Sequence, residues 1–390
     1  MKNIPYGKHF IDEDDIQAVV DVLKSSNLTQ GPIVDKYEQS FAKYVGAKYA
    51  VSVSSCSAGL HISSIALGLS KSDKFITSPI TFVSTVSAGL HLGSKPIFCD
   101  VDKQTINISI EKLEEILKKQ QIKIVIPVHF GGLACEMKKI KNLSYKYGFK
   151  ILEDAAHALG SKYQNGKYVG SCIYSDLCVF STHPVKTIAT AEGGLITTNN
   201  KNLYTRLLRL RSHGINKNNE IFSDREEAYT NGKRNLWYYE MHELGYHYRL
   251  NDIQSALGIT QLKKINKFLK SRDQVVQKYR KKLSKNICTP AQPYTKYSSN
   301  HLYVVRLKLD NLKKNKNQIM MELRKKNIIT QVHYIPIPLH LHFKNKGYKT
   351  KNIENAIEYF NHALSLPCYY SLSDKDLSHV INSVHEIYKI

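Results

Sequence analysis

The sequence predicts an α/β protein: a mostly parallel central sheet flanked by helices, followed by a smaller C-terminal α+β unit. Three observations carry this expectation. Over the first three-quarters of the chain, short apolar runs alternate with amphipathic segments. The runs are dominated by Val, Ile and Leu, as strands buried on both faces are. Past a boundary placed near residue 250, long basic helices and two further strands take over, which divides the chain into residues 1–250 and 251–390.

Taken in order, Asp12 can cap a helix whose Ile16, Val19, Val20 and Leu23 form one core-facing stripe. Strands are expected at Tyr49–Val53, Lys74–Ser78, Pro96–Cys99, Lys123–Val128, Lys150–Glu153, Leu177–Ser181 and Leu195–Thr198. Helical patterns near Ala58–Leu67, Thr81–Leu92, Ile110–Lys118 and Met137–Tyr147 separate most of them. The polar stretch Asn216–Arg234 reads as a long loop. Asn251–Leu269 then reads as one long helix, followed by a basic helix from Arg272. A strand at Leu302–Leu309, a helix near Gln318–Lys326, a strand at Ile328–Tyr334 and two terminal helices complete the chain.

Composition narrows the function. The 390 residues are 42% hydrophobic and 23% charged, which is ordinary globular composition and excludes a mostly disordered chain. No apolar run approaches the roughly 20 residues of a membrane span, and the start lacks a signal-peptide apolar stretch. A soluble, cytoplasmic protein with no membrane partner is expected. The seven cysteines (Cys56, Cys99, Cys135, Cys172, Cys178, Cys288, Cys368) are scattered without a C-x-x-C pair, so reduced thiols fit better than disulfides or zinc. With 56 Lys+Arg against 33 Asp+Glu, the formal charge is +23. Lysines are spread along the whole chain with no basic tail, so no nucleic-acid partner is expected; an anionic small molecule remains compatible.

Ligands of such folds collect beyond the carboxyl ends of the strands, and four features sit there. Ser54-Ser55-Cys56-Ser57-Ala58-Gly59 follows a strand and opens a helix. Small residues there let backbone N–H groups and a hydroxyl meet a phosphate at the positive end of the helix dipole. Taken alone, it reads equally as a plain helix cap. Asp154 ends an apolar strand, where a carboxylate needs a cationic or hydrogen-bonding partner or acts as a cap. Glu153 alternates to the opposite face, and His157 follows three residues later. Lys186 lies in Phe180–Lys186, a short segment between two buried strands, where a desolvated amine with a lowered pKa can attack a carbonyl. Ser181, at a strand end, offers another phosphate hydroxyl. Phe82, in Pro79-Ile80-Thr81-Phe82, presents an aromatic face or a core ring. Pyridoxal 5'-phosphate unites the four: it needs a lysine for its aldehyde, a carboxylate for its ring nitrogen and donors for its phosphate.

At these residues the sequence resembles the DegT/DnrJ/EryC family of sugar aminotransferases, which share the aspartate-aminotransferase fold (fold type I). The likeness runs through Leu28–Gly31, the Ser-rich turn, Ile80–Thr85, Glu153–Gly160, Phe180–Gly194, Arg211–Gly214, Glu243–Arg249 and Val332–Tyr334. Tyr6, the His183–Lys186 context, Trp237–Glu240 and Gln331–Tyr334 resemble the branch of pseudaminic acid biosynthesis. Its members move the amino group of L-glutamate to C4 of a UDP-linked 4-keto-6-deoxy-N-acetylhexosamine. An aminotransferase on another dTDP- or GDP-linked 4-keto sugar is the alternative, and a non-enzymatic basic protein on the same fold a more distant one.

The resemblance implies roles by position. Lys186 bonds the cofactor aldehyde and shuttles the proton, Asp154 pairs with the ring nitrogen, Phe82 stacks on the ring and His157 lies beside it. Cys56, Ser57 and Ser181 hold the phosphate. Tyr6, Ser26, Asn27, Leu28, Thr29, Gln331, Val332, His333 and Tyr334 match segments that contact the nucleotide sugar. His247 stands where the family usually has an asparagine that reaches the phosphate from the neighbouring subunit of a homodimer; an imidazole still donates a hydrogen bond. No metal is expected: His333, His340 and His342 are separated by an extended apolar stretch.

Overall fold

The computed structural model describes residues 3–216, 222–311 and 314–388. Its centre is a seven-stranded sheet, β1 (Tyr49–Val53), β2 (Lys74–Thr77), β3 (Lys95–Phe98), β4 (Ile124–Ile126), β5 (Lys150–Asp154), β6 (Leu177–Ser181) and β7 (Gly194–Thr198), in the spatial order β1-β7-β6-β5-β4-β2-β3. β7 runs antiparallel to both neighbours; all other pairs are parallel. The expected mostly parallel sheet is present. Every strand but β7 therefore ends on one edge, and β7 begins there, with Gly194 opposite both Val53 and Ser181.

Helices α1 (Glu13–Leu23), α2 (Pro32–Val45), α3 (Cys56–Ala66), α4 (Val83–Leu90), α5 (Ile110–Leu117), α6 (Met137–Tyr147) and α7 (Lys201–Arg211) flank the sheet. α3 is buried along most of its length, including Leu60, Ile62 and Ser63. A Cβ on Gly59 would stand 2.8 Å from Val179 Cγ1, so only glycine lets α3 lie this close to the sheet. The edge of the sheet that α3 opens onto is thereby fixed relative to β6.

Three expectations are corrected. Asp12 does cap α1, in a capping box with Asp15, yet the stripe Ile16–Leu23 does not face the core: Ile16 is 48% and Leu23 56% exposed. Asp15 points inward instead, accepting from Gln261 Nε2 at 2.8 Å and pairing with Lys264 at 2.7 Å. Those bonds set the rotation of the helix. The long helix expected at Asn251–Leu269 is two helices, Asp252–Lys263 and Ile265–Lys282, which meet at Lys264. That lysine is drawn to Asp12 and Asp15 of α1. Finally, Ile328–Tyr334 is not a regular strand. Its backbone makes single bridges, Ile328 to Ile4 and Gln331 to Ser365, and otherwise crosses the sheet edge as an open segment.

A three-stranded antiparallel sheet, Cys288–Pro290, Tyr303–Leu307 and Ala363–Leu366, forms a second core with helices Lys316–Lys325 and Asp374–Ile387. Its outer strands went unrecognised in the sequence because each is only three or four residues long. Ile4 joins this core: its N–H donates to Asn327 O at 2.8 Å and its carbonyl accepts from Ile329 N–H at 2.9 Å. The N-terminal segment is thus pinned 320 residues away in sequence, which sets Tyr6 beside the edge of the large sheet. In the expected loop, residues 217–221 lie outside the described residues; a short helix, Arg225–Ala228, and a ribbon of Tyr229–Thr230 with Lys233–Arg234 follow.

Candidate active site

The shared edge opens into a cavity of about 480 Å³. It collects most of the residues singled out in the sequence: Tyr6, Cys56, Ser57, Phe82, Asp154, His157, Ser181, Lys186 and Gln331 through Tyr334 all line it. The cavity also takes in residues that sequence reasoning missed, among them Ser84, His183, Glu192 and His340. Ser26, Asn27, Leu28 and Thr29 are exposed and do not line it. His247 is likewise exposed and outside it, its Nε2 2.8 Å from Arg249 Nη2. No group of three His, Cys, Asp or Glu that could hold a metal, His333, His340 and His342 included, occurs among the described residues.

Each wall has a local cause. Ser55 takes the capping role at α3, its Oγ accepting from Ala58 N–H at 3.1 Å. Cys56 and Ser57, the first two residues of the helix, are left at the cavity with the helix N-terminus. Gly194 matters here: a Cβ on it would sit 2.7 Å from Cys56 N, so the start of β7 can pass behind this turn only as glycine. Burial, reinforced by Asp154, pushes the Cys56 thiol well up, so it stays protonated and serves as packing or donor rather than nucleophile.

Asp154 is 4% exposed at the end of β5. Its Oδ2 accepts from Thr85 Oγ1 at 2.7 Å and its Oδ1 from Ala156 N–H at 3.1 Å. Thr85 in turn lies 2.7 Å from Thr81 Oγ1. No Lys, Arg or His pairs with this carboxylate among the described residues, so its charge faces the cavity with acceptor capacity to spare. Thr85 was invisible in the sequence because a threonine inside an apolar helix reads as core.

Lys186 is half-buried between β6 and β7. Burial lowers its pKa to about 8; Cys56 and Asp154 oppose the shift and Arg272 adds to it. A lysine held there supplies a neutral amine near physiological pH. Phe82 is 57% exposed, which rules out a core ring and leaves its face to the cavity, 6.1 Å from the Tyr334 ring.

His157 Nδ1 accepts from Gly131 N–H at 3.4 Å, which places the proton on Nε2, 2.9 Å from Tyr334 Oη. Burial, Lys186 and His333 push its pKa well below the usual histidine range, so the ring is neutral. His301 lies against it with centroids 4.5 Å apart. His333 is held by Ser365 Oγ at 2.8 Å and pushed by burial to about 3. This wall is made of uncharged rings and carries no competing base.

The residues suit pyridoxal phosphate. A half-buried amine, a carboxylate without a cationic partner, an exposed aromatic face and a helix N-terminus beside a glycine-opened backbone converge on one cavity of adequate size.

Comparison with known proteins settles the class. The profile of the DegT/DnrJ/EryC1/StrS aminotransferase family matches residues 9–385. The chain belongs to that family. It is 38% identical over 388 residues to UDP-4-amino-4,6-dideoxy-N-acetyl-beta-L-altrosamine transaminase of Campylobacter jejuni, covering 98% of this chain and 97% of that one. Its fold is similar to that of Helicobacter pylori PseC, an aminotransferase involved in pseudoaminic acid biosynthesis, with a TM-score of 0.89, 30% identity and 100% of both chains covered. It is also similar to the sugar aminotransferase Spr1654 of Streptococcus pneumoniae in its PMP form, at TM-score 0.89 and 28% identity over 99% of each chain. This family member is a pyridoxal-phosphate-dependent aminotransferase with the fold type I architecture. Among its described residues, no helix is long and apolar enough to cross a membrane.

Proposed function

We propose that the enzyme moves the amino group of L-glutamate to C4 of UDP-2-acetamido-2,6-dideoxy-β-L-arabino-hex-4-ulose, giving UDP-4-amino-4,6-dideoxy-N-acetyl-β-L-altrosamine. The observation that carries the chemistry is the meeting of Lys186 and Asp154 in one cavity whose mouth is lined by Tyr6 and Gln331–Tyr334. The choice of sugar is supported by the likeness to the Campylobacter and Helicobacter enzymes.

When bound, pyridoxal phosphate supplies an aldehyde that takes up amines and a ring that accepts the electron pair of a deprotonated carbon. In this reading Lys186 is the catalytic residue. Its Nζ would hold the aldehyde, take the proton from the donor's α-carbon and return one to C4 of the sugar. A tethered amine within reach of both carbons makes each transfer intramolecular. Asp154 keeps the ring nitrogen protonated. Phe82 would stack on the ring with His157 beside it, and Cys56, Ser57 and Ser181 would hold the phosphate with the α3 N-terminus. Tyr6 and Gln331–Tyr334 orient the sugar nucleotide. Residues 1–250 form the cofactor-binding domain and residues 251–390 the smaller C-terminal one.

A second copy of the chain is part of this proposal. His247 is exposed and lies away from its own cavity, and the chain also carries exposed apolar side chains at Leu236 (89%) and Trp237 (69%). In a homodimer His247 would reach the neighbour's phosphate site, and Ser26–Thr29 would contact a nucleotide sugar. The seven free thiols suit a reducing cytoplasm.

A panel of UDP-, dTDP- and GDP-linked 4-keto sugars with glutamate, read by product mass, tests the assignment. Amination of the UDP-N-acetyl sugar alone is expected; preference for a dTDP- or GDP-linked sugar overturns the substrate. Borohydride reduction of the holoenzyme is expected to fix the cofactor on the Lys186 peptide, and a label elsewhere removes the lysine from its role. His247→Ala is expected to weaken cofactor retention in the dimer.

A further inference from the structure

Behind Lys186, on the side away from the main cavity, lies an arginine that the proposed reaction does not use. Arg272, in the helix Ile265–Lys282, is 2% exposed. Its Nη1 donates to the carbonyls of Cys368 at 2.7 Å and His301 at 3.1 Å, while its Nε is buried without a partner. No carboxylate forms an ion pair with it among the described residues. A buried cation without a counter-charge is costly, and two carbonyl contacts do not require one, since a neutral amide donor would make them too.

What Arg272 does face is Lys186. Both line a second, small cavity of about 10 Å³. That space admits at most a single water, so neither a substrate carboxylate nor a counter-anion can stand between them. The guanidinium stays charged throughout the working range. The other groups around the amine do not cancel it. Cys56 is held as a neutral thiol, and His157, His301 and His333 are all pushed down by burial and remain neutral. Lys8 and His9, which also border the small cavity, add no negative charge. Asp154 opposes it, and in the proposed reaction is engaged by the ring nitrogen of the cofactor; Glu192 is a second carboxylate on the wall of the main cavity.

We propose that Arg272 is a positioning residue: a buried, uncompensated guanidinium that adds to the effect of burial in favouring loss of the Lys186 proton, and so enlarges the share of neutral amine that can take up an aldehyde or a proton. A fixed positive charge disfavours a second one beside it, and low-dielectric surroundings strengthen the effect. The inference rests on the reading of Lys186 as the reacting lysine, but its test needs neither cofactor nor sugar.

The full-length, cofactor-free protein is labelled with acetic anhydride across pH 6–11, and modification of the Lys186 peptide is followed by mass. In the native chain the midpoint is expected near 8. Arg272→Lys, which keeps the charge, is expected to leave it there. Arg272→Gln keeps a donor for the two carbonyls and loses the charge. It is expected to raise the midpoint by about one unit, slowing labelling at pH 7 by roughly tenfold. An unmoved midpoint in Arg272→Gln overturns the proposal. So does a native midpoint at the ordinary lysine value, or a chain that folds only with a cation at position 272, since the arginine would then be a structural clip. Borohydride trapping separates the two readings: a label on Lys186 with an unmoved midpoint sinks the role of Arg272 and leaves the reaction standing.

Discussion

Glu153 and Asp154 are adjacent carboxylates on one strand, and their surroundings could hardly differ more. Glu153, fully buried on one face of β5, accepts from Tyr163 Oη at 2.7 Å, from the Ser175 hydroxyl and from His129 Nε2 at 2.8 Å. His129 Nδ1 meanwhile accepts from Cys135 N–H at 3.0 Å, so its proton sits on the nitrogen that faces Glu153. That carboxylate is satisfied from within the fold. Asp154, on the other face, receives one hydroxyl and one backbone N–H and looks into the cavity. Burial alone does not distinguish a structural acid from a functional one; what remains unsatisfied after the fold has closed does.

The largest effect is expected at the lysine that shares the cavity with the open carboxylate. Lys186→Ala should lower turnover by at least about 10³-fold, the scale of a lost tethered acid–base group, as measured with glutamate and the keto sugar. Substantial remaining activity would dissolve the distinction between the two faces.

The same lysine should cost stability. Its ammonium titrates near 8 when folded, against 10.5 for an ordinary lysine. Between these values the unfolded chain binds more protons, so stability rises with pH across that window and is lowest below 8. Lys186→Met should therefore unfold at higher urea than the cofactor-free native chain at pH 7, by a few kcal/mol, with the gain shrinking between pH 8 and 10.5. A less stable variant at pH 7 would show that the amine is not strained by its site.

The two carboxylates should then part company. Asp154→Asn is expected to lower kcat by about 10²-fold with little change in the urea midpoint. Glu153→Gln should cost about 2 kcal/mol of stability, the scale of hydrogen bonds to a charged group, while the folded fraction keeps its kcat. Reversal of that pattern would exchange their roles. Smallest of all, Thr85→Val removes one hydroxyl from Asp154, at about 1 kcal/mol, and should lower kcat several-fold with KM for glutamate unchanged. An equal fall for glutamate binding would make Thr85 a packing residue only.

Much of this was legible in the chain itself. Short apolar runs located all seven strands of the central sheet, because most of them are buried on both faces and cannot be polar without losing stability. Asp154 stood out because a carboxylate at the end of an apolar strand needs a partner or a capping role, and Lys186 because a short segment between two buried strands is not where solvated lysines lie. Glu153 could be assigned to the opposite face from alternation alone. Thr85, Gly194 and Arg272 could not be found this way: a threonine in an apolar helix, a glycine before a strand and an arginine in a basic helix each have an ordinary explanation until their neighbours are known. The orientation of α1 failed for a related reason. Its apolar stripe was real, but Asp15 pairs inward with Gln261 and Lys264, residues nearly 250 positions away.

Local sequence thus determined which segments became strands and helices, and which polar side chains were left at the strand ends, because backbone geometry and burial on two faces act over a few residues. Only the folded molecule decided which of those side chains meet. The N-terminal segment pairs beside Asn327 and brings in Tyr6, Gln331–Tyr334 crosses the mouth instead of joining a sheet, and Arg272 comes to rest behind Lys186. Those placements follow from contacts between residues distant along the chain, whose closure entropy is repaid only when both cores form together.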